Sequence, residues 1–571
     1  MIAMDWRGGL KVIAVITSLL VPPLNALAES GRADYDLDDD GLIEINDLSD
    51  LDEIRNNPTG KSLYSVSTGC PLEVCTGFEL TTDLDFDTNL DGNINVEDDF
   101  WNNGEGWLPI SGIENLVFSG NDFQIKNLYI DSSATHNAGL FGRLAGAKIS
   151  NLGLTGPLMM IKGHSYVGSL AGWISGDSSI NFCYSTGSVV SDKNFVGGLV
   201  GYLNASSILN SYSTGDVTGA NTTWNSWFVG GLAGYLTGIS RIERSYSTGI
   251  VTGQRMVGGL VGSMSSNNRI EGSFATGNVI GERNLGGLVG RFGDIYSGGE
   301  GNVITASFAT GSVTGMQYLA GLIGTVDEGN EINASFSTGF INAETTGIGG
   351  LIHYGKSPVN NSYWAIDTSN VRPSIYVNED TGFLGLNLST IQCGIQANTT
   401  GDNSHCVSVD GSAENLEKGI NLFKNWDQFG YIADSGEYQA YWDFGSVKQL
   451  PGLNINGIIY RDSDADGELD TKNPIWLDTD GDGVADLIDF FPENLAATID
   501  ADHDNYPDEW LASCDENCQL NSTLQLDLYL NDSDNDGAAN NLDAFVLNAA
   551  ASVDIDNDGR PDAWSLDCDG F

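Results

Sequence analysis

FVGGLVG at residues 195–201 is written again as FVGGLAG at 228–234 and MVGGLVG at 256–262, with looser copies YVGSLAG at 166–172 and YLAGLIG at 318–324. Aligned on the central leucine, the copies fall at Leu140, Leu170, Leu199, Leu232, Leu260, Leu288, Leu322 and Leu351, in steps of 28 to 34 residues. A period in this range marks a stacked array. A second column follows about ten residues later at Ile180, Ile208, Ile242, Ile270, Ile304, Ile332 and Val359. A third, four residues on, is aromatic: Tyr184, Tyr212, Tyr246, Phe274, Phe308, Phe336 and Tyr363.

The apolar runs are short, rich in Val, Ile, Tyr and Thr, and bounded by Gly and Asn, with no helical period. They predict an all-β fold, a parallel β-helix whose coils each contain three short strands. Like residues then stack about 4.8 Å apart, leucine on leucine inside, and about eight coils make a rod roughly 40 Å long. The paired glycines before each leucine are expected to supply torsions that other residues resist. The longer steps are explained by corner inserts at 220–227 and 293–302.

Charge divides the chain. The net charge is -53, with 21 acids and 3 bases in residues 29–110, 29 and 3 in 461–571, and only 12 and 8 in 165–360. Acidic ends argue against nucleic acid or anionic membrane as partners and in favour of bound cations. Residues 1–28 read as a secretory signal peptide: Arg7 and Lys11, an apolar run from Val12 to Val21, then Ala26-Leu27-Ala28 as cleavage site. No later stretch could insert the mature chain in a membrane, and a secreted or cell-surface location is expected. The cysteines fit an oxidising compartment. Cys70 with Cys75, Cys393 with Cys406 and Cys514 with Cys518 lie close enough to staple small loops, Cys183 takes a place that other repeats fill with serine and reads as a packed thiol, and Cys568 has no evident partner.

Asp36, Asp38, Asp40, Gly41, Ile43, Glu44 and Asp47 occupy places 1, 3, 5, 6, 8, 9 and 12 of an EF-hand-like loop, and Asp87, Asn89, Asp91, Gly92, Ile94, Asn95 and Asp98 repeat the grid. Such spacing converges oxygens on one calcium ion while the glycine turns the chain. Aspartate at place 12 is a shorter arm than the usual glutamate.

From 462 the pattern becomes D-x-D-x-D-G/N-x-x-D: Asp462, Asp464, Asp466, Asp470; then Asp478, Asp480, Asp482, Asp486, Asp489; then Asp500, Asp502, Asp504, Asp508. Asp532, Asp534, Asp536, Asn540, Asp543 and finally Asp554, Asp556, Asp558, Asp562 complete it. This stretch resembles the thrombospondin type 3 calcium repeats, without the regular inter-repeat disulfides of animal members. It has little apolar content, so calcium is expected to organise it.

The repeats, with the preceding FELTTDLDFD (78–87), FSGNDFQIKNLYID (118–131) and GLFGRLAGAKISNLGL (139–154) and the following YWDFGSVKQLPGL (441–453), resemble bacterial exported proteins that carry the GLUG motif. The resemblance covers roughly residues 34–453 and implies a β-helix-like fold at or beyond the bacterial surface, with no established chemistry. The last copy departs from the pattern at His353 and Trp364, where the helix is expected to end. The expected division is signal peptide 1–28, acidic calcium loops and cap 29–110, β-helix 111–364, C-terminal cap 365–460 and calcium repeats 461–571.

No catalytic constellation emerges. His136, His164, His353, His405 and His503 are scattered, with no H-E-x-x-H, G-x-S-x-G or phosphate-binding loop. The outward acids Asp177, Asp216, Glu243, Glu271 and Asp327 are expected at different corners, without convergence. Trp224 and Trp227, with Tyr296 in the other insert, are the candidates for stacking on a sugar or protein surface; the alternative is that they fold back on the coil. The expected function is a non-enzymatic, calcium-binding adhesion or matrix protein with glycan or protein ligands. The alternative is a polysaccharide lyase or hydrolase on the same scaffold.

Overall fold

The computed structural model describes residues 35–66, 75–220, 227–293, 299–343, 347–353, 357–371, 383–392 and, with short gaps, 423–470, plus scattered positions between 491 and 526. The coil around the quoted stretch has five short strands, Val196–Gly197, Val200–Asn204, Ser207–Leu209, Tyr212–Ser213 and Val217–Gly219, where the sequence pattern predicts three. The Gly-Gly-Leu turn separates the first two. Asn210, at φ 48°, separates the isoleucine strand from the aromatic one. Stacking distributes these strands over three eight-stranded sheets and one of twenty.

Among the described residues every strand pairing between coils is parallel, and the columns stand in register. Ile149, Ile180, Ile208, Ile242, Ile270, Ile304, Ile332 and Val359 oppose one another in turn. From Leu170 to Leu351 each leucine N–H donates to the next leucine carbonyl at 2.9–3.0 Å, and all eight leucines are fully buried. The paired glycines act differently from expectation. Gly198 is not left-handed; a Cβ there would lie 2.2 Å from the Gly231 carbonyl and 2.1 Å from Ser213 Oγ. Close approach of opposite walls, rather than torsion, demands glycine. The left-handed residue of that turn is Phe195, at φ 64°.

Two polar ladders close the corners. The N–H groups of Cys183, Ser211, Ser245, Ser273, Ser307 and Ser335 donate to the hydroxyl one coil further on at 3.0–3.5 Å. Ala147, Ser178, Ser206, Ser240, Asn268, Asn302 and Asn330 do the same towards Ser or Asn side chains at 2.9–3.3 Å. Each rung satisfies a backbone donor that would otherwise be orphaned in the corner. Cys183 is a buried free thiol at the first rung of the serine ladder.

At the N-terminal end the stack continues without a break: Leu42–Ile45 pairs with Gly77–Leu80, and that strand with Val117–Ser119. At the other end Phe383–Leu386 pairs with Ser362–Ala365. Farther along the stretch expected as a C-terminal cap, the described part of residues 423–460 lies along the flank. The aromatic column faces outward and builds a second core beside the coil interior, together with Trp426, Tyr441, Trp442, Phe444 and Tyr460. Tyr460 packs on Tyr246 and Phe274 at 5.0 and 5.6 Å between ring centroids, and Trp442 on Phe308 and Phe336 at 6.3 and 5.6 Å. Residues 423–460 therefore run back along the flank as a lateral cover, an antiparallel hairpin (Gly430–Ile432, Tyr438–Ala440) followed by three antiparallel strands. Outward aromatics stacked every coil could not be left to water, so a non-repeating segment buries them.

The cover fits a further column. The residue between the two strands of the large sheet is left-handed from coil to coil: Asn151, Phe182, Asn210, Arg244, Gly272, Ala306, Ala334 and Asn361, at φ 45–55°. It is small beneath Tyr441 and Trp442. A Cβ on Gly272 would meet the Tyr441 ring at 2.4 Å, and Trp442 Nε1 donates to the Ala334 carbonyl at 3.1 Å.

Candidate metal centres

Three acidic loops share one wiring. In the first, Gly41 N–H donates to Asp36 Oδ2 at 3.0 Å, Asp40 N–H to Asp38 Oδ1 at 3.1 Å and Leu42 N–H to Asp40 Oδ1 at 2.7 Å. In the second, Gly92 N–H reaches Asp87 Oδ2 at 2.9 Å, Asp91 N–H reaches Asp87 and Asn89, and Asn93 N–H reaches Asp91 Oδ1 at 2.8 Å. In the third, Gly467 N–H reaches Asp462 Oδ2 at 2.9 Å and Glu468 N–H reaches Asp466 Oδ1 at 2.7 Å. Place 4 is left-handed each time, at Asp39, Leu90 and Ala465, and the glycine at place 6 has φ of 91°, 80° and 92°. A Cβ on Gly41 or Gly92 would meet nothing within 4 Å, so here torsion alone selects glycine.

The acid that closes each loop differs. Glu44, at place 9, accepts from Leu37 N–H. Asp98, at place 12, accepts from Thr88 N–H and Asn95 N–H, both at 2.8 Å. Asp470, at place 9, accepts from Ser463 N–H at 3.0 Å. Asp47 caps the helix Leu48–Glu53, its Oδ1 accepting from Asp50 N–H at 2.8 Å. The run Asp47-Leu48-Ser49-Asp50 carries that signal, an aspartate N-cap with an acid in the first turn.

Among the described residues two carboxylate triads gather ligand oxygens within 4.8 Å of one another: Asp36, Asp38 and Asp40, and Asp462, Asp464 and Asp466. In the second loop Asp91 Oδ2 instead holds Asn95 Nδ2 at 3.2 Å. In both triads the first aspartate is buried and the other two are exposed. Burial, then the neighbouring Asp40 and Asp38 charges, push the Asp36 carboxyl up against its hydrogen bonds from Gly41 and Asp40. Asp462 is raised to about 6 by burial, with Asp466 and Asp464 adding, against the Thr310 side chain and Gly467 N–H. Three carboxylates so close repel one another unless protonated or bridged by a cation, and an all-oxygen set suits calcium. The third loop is also seated on the flank: a Cβ on Gly467 would lie 3.6 Å from the Thr276 carbonyl, and Gln392 Nε2 donates to the Ser463 carbonyl at 2.7 Å.

The remaining aspartates of the expected repeats (Asp478, Asp480, Asp482, Asp486, Asp489, Asp500, Asp502, Asp504, Asp508, Asp532, Asp534, Asp536, Asn540, Asp543, Asp554, Asp556, Asp558, Asp562) lie outside the described residues, as do Trp224 and Tyr296. Trp227 is half-buried, opens the strand Trp227–Gly230 and lies against the Arg255 guanidinium, 5.7 Å from its ring centroid. Cys514–Cys518 is a disulfide with Cα atoms 5.2 Å apart, and Cys75 is disulfide-bonded. Glu243 and Glu271, expected at different corners, are register partners on one column. Register in the sheet, invisible in a list of acids, brings them together. Glu243 is paired with Arg244 at 2.8 Å and Arg241 at 3.1 Å, Glu271 with Arg269 at 3.5 Å. Tyr441 Oη meets Glu243 Oε1 at 3.1 Å, and burial followed by the two glutamates holds that phenol far above its usual range.

With the ladders and loops in place, the repeat has a counterpart among known families. Residues 196–218 match the GLUG motif. The matched segment runs from the second residue of FVGGLVG through the leucine, isoleucine and aromatic rungs of one coil. The GLUG-bearing chain is 29% identical over 173 residues to Halomucin of Haloquadratum walsbyi, covering 30% of this chain and 2% of that protein, so it spans a small fraction of that relative's length. Among solved structures it is similar to a putative immunoglobulin A1 protease from Bacteroides ovatus, at 20% identity and a TM-score of 0.34 over 48% of this chain and 77% of that one. A structure named IgA1 Protease follows at 16% identity and a TM-score of 0.34, over 55% of this chain and 21% of that one. Among the described residues no helix is long and apolar enough to cross a membrane.

Proposed function

We propose that this chain is an exported, calcium-loaded adhesion or matrix protein of bacterial type, a GLUG solenoid whose acidic ends are set by metal ions. The observation that carries the reading is the common wiring of three loops, one set before the solenoid and one after it. In the first and third, three carboxylates converge and leave oxygens for a hard cation. Asp36, Asp38, Asp40 and Glu44 would hold one ion, Asp462, Asp464, Asp466 and Asp470 another; Asp87, Asn89, Asp91 and Asp98 form a weaker third site. Calcium supplies charge neutralisation and six to eight oxygen bonds there. The thrombospondin type 3-like spacing after 470 extends the same chemistry along the tail, and the apolar run with its A-x-A site before residue 29 supports export.

The solenoid is the load-carrying and ligand-presenting part. Glu243 and Glu271 are each matched by arginines, which suits a structural surface better than a hydrolytic pair. Calcium titration of the whole protein tests the reading: at least two sites are expected, one lost in Asp36→Asn with Asp38→Asn and another in Asp462→Asn with Asp464→Asn. Absence of calorimetric or spectroscopic calcium binding above millimolar background would remove it. Release of reducing ends or unsaturated sugars from acidic polysaccharides would favour an enzyme instead.

A further inference from the structure

The edge of the lateral cover lies over the solenoid's early coils, and the surface changes character there. Along the left-handed column the residues are Gly272, Ala306 and Ala334 beneath Tyr441 and Trp442 but Phe182, Asn210 and Arg244 at the cover's edge, where Asn456 and Tyr431 reach Asn210 and Arg244. Between those three and the overhanging hairpin opens a cleft of about 570 Å³, within the range of about 300–1,000 Å³ usual for small-ligand sites.

Its lining is unlike the rest of the chain. The protein has 77 acidic residues, yet among the described residues no carboxylate lines this cleft. Polar lining comes from the side-chain amides of Asn181, Asn210, Asn456 and Gln439 and from one guanidinium. The amides are already organised: Asn210 Nδ2 donates to Asn181 Oδ1 at 2.7 Å, Asn456 Nδ2 to Asn210 Oδ1 at 3.3 Å. Arg244 is fixed on three sides. Its Nε donates to Asn210 Oδ1 at 2.7 Å, its Nη1 to Glu243 Oε1 at 2.8 Å, and its plane lies 4.0 Å from the Tyr431 ring centroid. Glu243 neutralises its charge from behind the lining.

We propose that this cleft binds a neutral oligosaccharide through its ring hydroxyls. Asn210 Oδ1 is taken by Arg244 and Asn456, so Asn210 organises the lining while the amides of Asn181, Asn456 and Gln439 present donors and acceptors to a sugar hydroxyl, and the Phe182 side chain supplies an apolar surface for a pyranose. An acidic polymer would meet the field of a chain of net charge -53, with one already neutralised cation to hold it. A peptide adding as a strand finds no edge on the floor, because Ser207–Leu209 is hydrogen-bonded on both sides, to Ser179–Ser185 and Arg241–Glu243. The proposal deepens the adhesion reading by naming one ligand class and its place.

The test uses the full chain and a panel of glucose, galactose, mannose and N-acetylglucosamine tetrasaccharides, read by titration. Binding to at least one is expected, weakened tenfold or more by Asn210→Ala and by Leu209→Trp, which plugs the cleft from its floor, and unchanged by Trp227→Ala. Circular dichroism and melting confirm that each variant folds; Leu209→Trp alone decides if Asn210→Ala does not. Failure of every tetrasaccharide to bind, or binding undiminished in a folded Leu209→Trp, overturns the proposal, as does selective binding of a peptide or acidic polymer. Adhesion to cells or matrix that persists in the plugged variant overturns the cleft and spares the adhesion reading; tetrasaccharide binding without adhesion does the reverse.

Discussion

Replacing Gly272 by alanine isolates the contact between cover and solenoid. The residue sits at φ 55° in a column where Ala306 and Ala334 take φ 47°, so alanine can adopt the torsion at a cost of about 1–2 kcal/mol. The added Cβ would lie 2.4 and 2.5 Å from Cδ1 and Cε1 of Tyr441, and overpacking of this kind costs about 1–3 kcal/mol. The two contributions total about 2–5 kcal/mol, carried by the cover's docking and hardly by the coil. Tyr441→Ala alone costs about 3–5 kcal/mol by emptying a buried ring. In the double variant the clash has no partner, so its cost should fall short of the sum of the singles by about 1–3 kcal/mol. Hydrogen exchange of segments 436–444 and 452–460, compared with strands 241–243 and 269–271, reads the cover apart from the coil, and the fluorescence of Trp426 and Trp442 reports its melting. Additivity of the two substitutions within about 0.5 kcal/mol, or exchange rising as much in the coil as in the cover, would refute the geometry.

Cys183→Ser should be tolerated and add up to about 1 kcal/mol, because serine donates better to the Asn181 carbonyl that Sγ meets at 3.4 Å; chemical denaturation checks it. Burial pushes the Cys183 thiol up to about 12, so folding favours its protonated form: the stability it gives is present below the unfolded thiol's ordinary value and is lost as pH rises through 12. Thiol reagents at pH 8 should therefore label it only on unfolding. Asp462, raised to about 6, follows the same sign. With calcium chelated, the stability associated with its protonated form is present below about pH 4 and lost as pH rises through 6, about 3 kcal/mol at most; the cover should melt lower at pH 7.5 than at pH 5, and calcium or Asp462→Asn should abolish the difference. Leu232→Ala, in the fully buried leucine ladder, should cost about 2–5 kcal/mol and raise exchange most in the coils on either side, since neighbours alone share the loss.

Sequence carries this fold wherever a residue's environment repeats. Leu199, Ile208 and Tyr212 are legible because the coils before and after present the same surroundings, so selection writes the same letter at each rung. The same logic fails for the paired glycines: periodicity reports that glycine is needed at 198 without saying whether torsion or the wall at Ser213 needs it. It fails again for residues 423–460, which answer the column rather than repeat it. The one trace of the cover in the coils is an irregularity, the change from Phe182, Asn210 and Arg244 to Gly272, Ala306 and Ala334 at a position that otherwise tolerates only left-handed torsion. Size falls where Tyr441 and Trp442 arrive, and polarity remains at the cover's edge, where Asn456 and Tyr431 meet Asn210 and Arg244. In a solenoid the conserved rungs describe the stack, and the rungs that break their column describe what lies against it; the loops obey the converse, since Asp36, Asp87 and Asp462 are alike although the elements that follow them are not. Placing a function on this chain therefore depends on the exceptions in the coils and the agreements between the ends.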